Sequence, residues 1–583
     1  MLSGFGFNRT GGALVFNHNA GIATDGTRLL LADQRNNRVL IWNRLPTANT
    51  PPDLVLGQPN FNTNDSGSGR NQLNWPNTVR TDGGRVIVAD TFNDRILIWN
   101  RFPTANWTPA DIQIKITWPW GVWTDGKKLV ATCTLLGYAQ IWNSFPTRDD
   151  QPADIRLDGG GNFGTPRAIT SNGQVLMIGD YSAKGTASPQ GSWVWRQFPT
   201  SNRAADFFYY RPDRGYLQGA FLPDGRLAMY GSGLYLWSAP LADAQSRPDL
   251  SVTDFFFRGG GGDVALVGGA IFISDGNLNR VLVYNTAPTR PDQPPDWALG
   301  SPDLCTNTLE ANFIITNGVP ASNGVNLFVS SDFDHKLHVW KKVPDEDGAH
   351  PDIVYHFPDQ PTQSALWNDT LTLAGFNSVY VWTKLPLDGR LPDRIFEGSI
   401  GSIKFQNLSG VAYDGHYFYL ADREAGKIYI WDGLPSAGSE PKAVLAVGPM
   451  GRLSTDGTWL VVTPWEARSI LVYRVADLFG NPKPVSIGKE QLSLPAHSLA
   501  AQGRLFVSDT GNNRVLVWNK IEDAVAGRDA DAILGLPTDR VPATRRNGLF
   551  MPSGLSFDGS YLWVGEFKFS NRVLRYSLGG PDR

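Results

Sequence analysis

Eight side chains carry the chemistry that a ligand could use: His18, Trp75, Asn77, Trp118, Trp120, Arg167, Asn317 and His497. Trp75 and Asn77 share the stretch Trp-Pro-Asn-Thr-Val, and Trp118 and Trp120 share Trp-Pro-Trp-Gly-Val. Flat aromatic rings beside amide and guanidinium groups suit a sugar ring or a peptide, because they join apolar area to hydrogen-bonding edges. In the second half the corresponding loops offer Asn317, Gln363, Ser409, His497 and Ser553, which are polar but chemically mild. His335 and His338 stand close together, but a metal would need a third ligand and none is evident. No Ser-His-Asp order, glycine-rich phosphate loop or carboxylate pair can be placed. The expectation is a set of ligand contacts, with no catalytic residue, no metal ligand and no cofactor.

These residues are set into a repeating text that must position them. "NNRVLIWNRLPTANTPPDLVLG" (Asn36 to Gly57) returns as "NDRILIWNRFPTANWTPADIQI" (Asn93 to Ile114) and again as "NNRVLVWNKIEDAVAGRDADAILG" (Asn512 to Gly535). The aromatic that closes each "VLIW"-like run marks twelve copies: Trp42, Trp99, Trp142, Trp195, Trp237, Tyr284, Trp340, Trp382, Trp431, Tyr473, Trp518 and Tyr576. Their mean spacing is about 48.5 residues, within the range of propeller blades. Each copy holds four short runs rich in β-branched and aromatic residues, bounded by Gly, Asn, Asp and Pro, so each run reads as a strand. Asp-Gly or Asn-Gly between the first two runs favours a tight hairpin. The fold class is therefore all-β, a β-propeller of twelve four-stranded blades.

The loop before the third run reads Asp33-x-x-Asn36-Asn37-Arg38, Asp90-x-x-Asn93-Asp94-Arg95, Asp275-x-x-Leu278-Asn279-Arg280 and Asp509-x-x-Asn512-Asn513-Arg514. Here the chain resembles the NHL-repeat family, whose repeat carries an Asp, then Asn and Arg-Val, at this spacing. The loop is worn in the copies ending at Trp142, Trp195, Trp237 and Trp382. Because its Asp and Arg recur, they are expected to fix hairpins and neighbouring blades. The marker tryptophans are expected in the core for the same reason. The eight candidates are not periodic; most fall in or beside the loops that lead into first strands, where ligands meet a propeller.

The resemblance implies six blades to a ring, so two tandem six-bladed propellers are expected, at residues 1–290 and 291–583. One twelve-bladed ring is the alternative. The last copy ends on its third run, and Ala13–Asn19 looks like an unattached fourth strand. In the two-ring reading, Ala13–Asn19 completes the blade ending at Tyr284, and Asp296–Pro302 completes the one ending at Tyr576. The Pro-rich stretch Asn285–Asp296 is then the linker.

Composition bounds the function. The formal net charge is -3 with no basic run, which argues against a nucleic-acid partner. No apolar stretch is long enough to span a membrane. The N-terminal residues do not read as a signal peptide. The two cysteines, Cys133 and Cys305, are expected as buried small residues. A chain rich in Asn, Thr and Trp, with Arg ahead of Lys, leans towards an extracytoplasmic or secreted location. The functional expectation is a non-catalytic scaffold that binds a protein or carbohydrate ligand through its loop faces. Related six-bladed enzymes, such as amidating lyases and lactonases, gather several His, Glu or Asp in one channel. The corresponding loops here offer only His18, Asp263 and His497, so a lyase or lactone hydrolase is the alternative.

Dividing tryptophans into periodic and non-periodic ones has a measurable consequence. Trp42→Ala should destabilise by about 3–5 kcal/mol, as for a large aromatic lost from a core, and Trp120→Ala by much less. Equal losses in denaturant unfolding would refute the division.

Overall fold

The computed structural model describes residues 1–583 except 3–8, 212–217, 223, 232, 256–261, 310–314, 316, 333, 466, 481, 489–490, 536–547, 568–570 and 579–583. Among the described residues there are eleven four-stranded sheets, one three-stranded sheet and one two-stranded ribbon. In each four-stranded sheet the strands lie in sequence order, as in Asn19–Thr24, Leu29–Asp33, Arg38–Trp42 and Leu54–Leu56. This is an all-β, β-propeller-like repeat architecture. The described residues contain a single α-helix, Ile521–Val525.

Both faces of each sheet are covered, so its inner strands need apolar residues at every position. Arg38–Trp42 and Arg95–Trp99 are buried along their whole length. The outer, fourth strands are half-covered: Ile353–His356 alternates between half-buried and exposed residues. Continuous apolar runs inside and alternation outside explain why each repeat mixes the two patterns.

The recurring text at the outer end of each sheet is explained by two hydrogen bonds. The marker indole donates to a carbonyl of the connector that follows: Trp42 Nε1 to Thr50 O at 2.8 Å, Trp99 to Thr108 O at 2.9 Å and Trp431 to Ser439 O at 3.1 Å. The Asp that ends the connector accepts the backbone N–H just after the marker. Asn43 N reaches Asp53 Oδ2, Asn100 N reaches Asp111 Oδ2 and Lys341 N reaches Asp352 Oδ2, each at 2.7 Å. The pair of bonds fixes the hairpin between third and fourth strands.

The polar loop fixes the other end. Gln34–Asn36 makes one 3-10 turn and Asn37 is left-handed at φ 50°. Asp33 is fully buried and accepts from Asn17 N at 2.7 Å, Asn36 Nδ2 at 2.9 Å and Arg38 Nε at 2.7 Å. Arg38 spends its remaining donors on the carbonyls of Phe61, Gly12 and Val15. The same pair recurs as Asp90–Arg95, Asp275–Arg280, Asp509–Arg514 and, in the last sheet, Glu566–Arg572. Where the text is worn the turn survives: Thr134–Leu136 is again a 3-10 turn, with Gly137 taking the left-handed position at φ 67°.

The chain forms two compact units, Asn8–Asn312 and Met1–Phe7 with Phe313–Arg583. The first unit holds six four-stranded sheets, from Asn19–Leu56 to Val264–Leu299. Their first strands lie side by side in succession, and that of the sixth sheet lies against that of the first. The second unit holds five four-stranded sheets and one of three strands, with the same succession from Val319–Ser322 to Pro552–Phe557 and back. First strands approach closely. A Cβ on Gly121 would lie 2.1 Å from Arg167 O, and one on Gly554 would lie 2.5 Å from Gly318 O.

The expected strand exchange does not occur. Trp297–Leu299 pairs with Arg280–Tyr284, so the sixth sheet is completed by the chain that follows it. Asn285–Asp296 is therefore an ordinary connector, not a linker. Asn285 N donates to Asp296 Oδ2 at 2.7 Å and the Tyr284 hydroxyl to Gln293 O at 2.9 Å. Ala13–His18 is not a strand; Asn19 begins the first strand of the first sheet. The three-stranded sheet is instead met by Leu2, which exchanges backbone hydrogen bonds with Val573 at 2.9 and 3.1 Å. Leu2 is buried with Ile315, Trp340 and Trp563. The division therefore falls at 312/313, not at the expected 290/291, and the first residues belong with the C-terminal part. Cys133 is buried as expected, but Cys305 is exposed.

Burial sets the worth of the loop ion pairs. Arg38→Met leaves the Asp33 carboxylate enclosed without its guanidinium and should cost the first unit about 3–5 kcal/mol. Arg28→Met breaks the part-exposed pair with Asp25 and should cost about 1 kcal/mol or less. Urea unfolding of the two variants separates these values.

Candidate functional site

Four of the loops that lead into first strands share one mechanism. The last residue before the strand is left-handed at His18 (φ 51°), Trp75 (59°), Trp118 (49°) and Met551 (45°); Asn317 (46°) lies two residues before its strand. Such a φ is unfavourable for bulky side chains and needs a compensating contact. That contact is the polar loop of the preceding sheet. Trp75 N donates to Asn37 Oδ1 at 2.8 Å and Trp118 N to Asp94 Oδ1 at 2.7 Å. His18 N donates to Asn279 Oδ1 at 2.7 Å, joining the sixth sheet to the first. In the second unit Met551 N donates to Asn513 Oδ1 at 3.0 Å. The strained backbone is a repeating joint between sheets.

In the first unit the joints gather aromatic rings at one end of the sheets. Trp75 is buried and stacks on Trp118, with centroids 5.9 Å apart and planes at 25°. It meets the edge of Trp120 at 5.2 Å and Phe92 at 4.8 Å. Trp118 and Trp120 are half-buried. The Arg167 guanidinium lies between two rings, 4.2 Å from the centroid of Trp120 and 4.3 Å from that of Tyr181. Tyr181 is exposed, as are Leu135 and Leu136 on the neighbouring turn, whose first residue donates from Thr134 N to Trp118 O at 3.3 Å. The structure thus brings Trp75, Trp118, Trp120 and Arg167 together. Asn77 is beneath them, buried, accepting from Gln34 Nε2 at 2.5 Å and donating to Trp120 O at 3.1 Å. His18 is half-buried at the joint between first and sixth sheets.

Asn317 and His497 belong to the second unit. Asn317 is buried and donates from Nδ2 to Asp332 Oδ2 at 2.6 Å. His497 is buried on the first strand His497–Ala501, and its Nδ1 accepts the Leu555 N–H at 3.0 Å. An accepting Nδ1 puts the proton of the neutral ring on Nε2. Burial, with the nearby Arg452 charge, pushes His497 well below the ordinary histidine range. Among the described residues no group of three His, Cys, Asp or Glu could hold a metal ion. Sequence reasoning missed Arg80, Arg452 and Tyr181. The two arginines sit inside first strands, where position along the strand, not local text, decides which way a side chain points. Tyr181 stands directly after a repeat Asp, Asp180, and its place in the loop pattern was a usable signal.

No protein-family model matches the chain, and no curated protein matches it. Among solved structures, the chain is similar to a crystal structure of a nidogen/laminin complex, at 15% identity and a TM-score of 0.32, over 43% of this chain and 89% of that one. No helix among the described residues is long and apolar enough to cross a membrane.

The lowered His497 value has a sign that can be measured. The unfolded chain takes up a proton near pH 6.5, before the folded ring does. Stability should then fall as pH drops below about 6.5, by up to about 1.4 kcal/mol per pH unit, and lose this dependence above it. His497→Gln, whose amide oxygen can still accept the Leu555 N–H, should flatten that slope in urea titrations from about pH 7 to about pH 5. An unchanged slope would assign the acid sensitivity elsewhere.

Proposed function

We propose that the chain is a tandem of two closed six-bladed propellers of the NHL-like repeat type, and that it serves as a non-catalytic platform. Six sheets per unit, with the sixth first strand against the first, support the blade number. Leu2 stands at the fourth-strand position of the last blade. The ligand is a protein or a glycan, and it docks on the first unit at Trp118, Trp120, Arg167 and Tyr181.

The observation that carries this reading is the guanidinium of Arg167 held between an exposed and a half-buried ring, beside exposed Leu135 and Leu136. Stacking fixes the cation against the two rings at this surface. A ligand carrying an anionic or polar edge can meet that charge while an apolar sugar face or side chain covers the rings. Surfaces of this composition carry most of the energy in known interfaces.

The test is a binding screen of the full chain against a glycan panel and against extracellular-matrix and cell-surface proteins. Trp120→Ala and Arg167→Ala should each reduce binding at least about tenfold, with little change in melting temperature. Hits that bind both variants as tightly as the parent would move the site off this patch.

A further inference from the structure

Two arginines on first strands, one in each unit, reach past a neighbouring first strand and differ in how their charge is met. Arg80 lies on the first strand Pro76–Thr81 and reaches past the neighbouring first strand. Its Nη1 donates to Ile22 O at 3.2 Å and to Asp263 Oδ2 at 2.7 Å. Asp263 is fully buried and also accepts the Ile22 N–H at 3.2 Å. The charge of Arg80 is thus met by a carboxylate.

Arg452 lies on the first strand Met450–Thr455 of the second unit. Its immediate neighbours are the first strands Leu408–Tyr413 and His497–Ala501, but its hydrogen bonds go beyond them. Nε donates to Thr362 O at 3.2 Å, on Pro361–Trp367, and Nη1 to Ser553 Oγ at 2.8 Å, on Pro552–Phe557. No ion pair joins Arg452 to a described residue, and Nη2 makes no hydrogen bond to one. The Asp332 charge acts on it only at a distance, and that carboxylate already accepts from Asn317. Arg423 adds a second positive charge nearby. Its Nε donates to Met450 O at 3.3 Å, its face rests on Trp465 at 3.9 Å, and it too lacks an ion pair among the described residues. His497 beside them is neutral. Ser553 Oγ accepts from Arg452, so its own proton is free to be donated. Burial pushes the Arg452 guanidinium down to about 10.

A part-enclosed cation flanked by a second cation and by hydroxyl and imidazole donors is complementary to one chemical class. We propose that Arg452 anchors an oxyanion site in the second unit, taking the carboxylate or phosphate group of a small ligand, with Arg423 adding charge and Ser553 orienting the guanidinium. Arg452 is half-buried, which leaves part of its side chain open to solvent. Guanidinium and oxyanion would form charge-assisted bonds that neutralise the cation where the protein supplies no carboxylate. Arg80 serves as the internal control, because Asp263 already meets its charge. This site is independent of the aromatic patch on the first unit.

The test is calorimetric titration of the full chain with inorganic phosphate and, separately, with succinate, against chloride at matched ionic strength. At least one of the two oxyanions should bind saturably at one equivalent and chloride should not; the tighter one identifies the ligand chemistry. Arg452→Gln should abolish binding, Arg452→Lys should retain part of it and Arg80→Gln should leave it intact. Ser553→Ala, which removes one hydrogen bond to a charged group, should weaken binding about tenfold and serves if Arg452→Gln does not fold. Absence of saturable binding of both oxyanions to the parent chain would overturn the proposal. So would Arg452→Gln binding as tightly as the parent, or Ser553→Ala binding unchanged.

Discussion

At four junctions between sheets a side-chain oxygen accepts the amide that leads into the next sheet, and the succession of those sheets depends on it. Asn37, Asp94, Asn279 and Asn513 each hold this oxygen in a left-handed turn. The amides they receive belong to Trp75, Trp118, His18 and Met551, which are left-handed themselves. Each joint therefore needs two residues in a conformation that costs energy outside glycine. What makes the turn affordable is the Asp–Arg pair beneath it, which ties the turn to the carbonyls around it. Sheets packed only through apolar faces could slide over one another, whereas a directional bond at these four joints fixes the succession of the sheets they connect.

This division of labour separates structure from ligand chemistry. The periodic polar residues are consumed by the frame: Asp33 and Arg38 are fully buried and every charged atom has a protein partner. Chemistry is left to positions where the repeat is worn. Thr134–Leu136 keeps the turn through Gly137 without Asp or Arg, and so it can expose Leu135 and Leu136 beside Trp118. In the sheet that follows, Trp193 Nε1 takes the arginine's place on Asp180 at 3.1 Å. Loss of the motif in adjacent sheets is what allows an aromatic surface there.

The all-β repeat architecture was legible because its cause is local. Asp-x-x-Asn-Asn-Arg specifies one turn, and Trp with a connector Asp specifies one hairpin. The way the sheets are completed was not legible. Ala13–Asn19 resembles an outer strand, yet Phe16 is buried under the first and sixth sheets and the strand begins only at Asn19. Leu2 carries no pattern at all; a bridge of one residue leaves no period to read. The candidate residues divided for a similar reason. Trp75 and Trp118 have the same surrounding text, but the ring of Trp75 is covered by its neighbours while Trp118 keeps part of its surface. Arg452 had no local signal, because its partners lie about 90 and 101 positions away.

Amide hydrogen exchange at the joints tests the central point most directly. The N–H groups of His18, Trp75, Trp118 and Met551 sit in loops, where exchange is normally fast. If the side-chain oxygens hold the sheets in succession, these four amides exchange as slowly as those of the inner strands, and Asn37→Ala releases Trp75 alone before the first unit unfolds. Exchange at loop rates in the parent chain, or a Trp75 amide indifferent to Asn37→Ala, would contradict it.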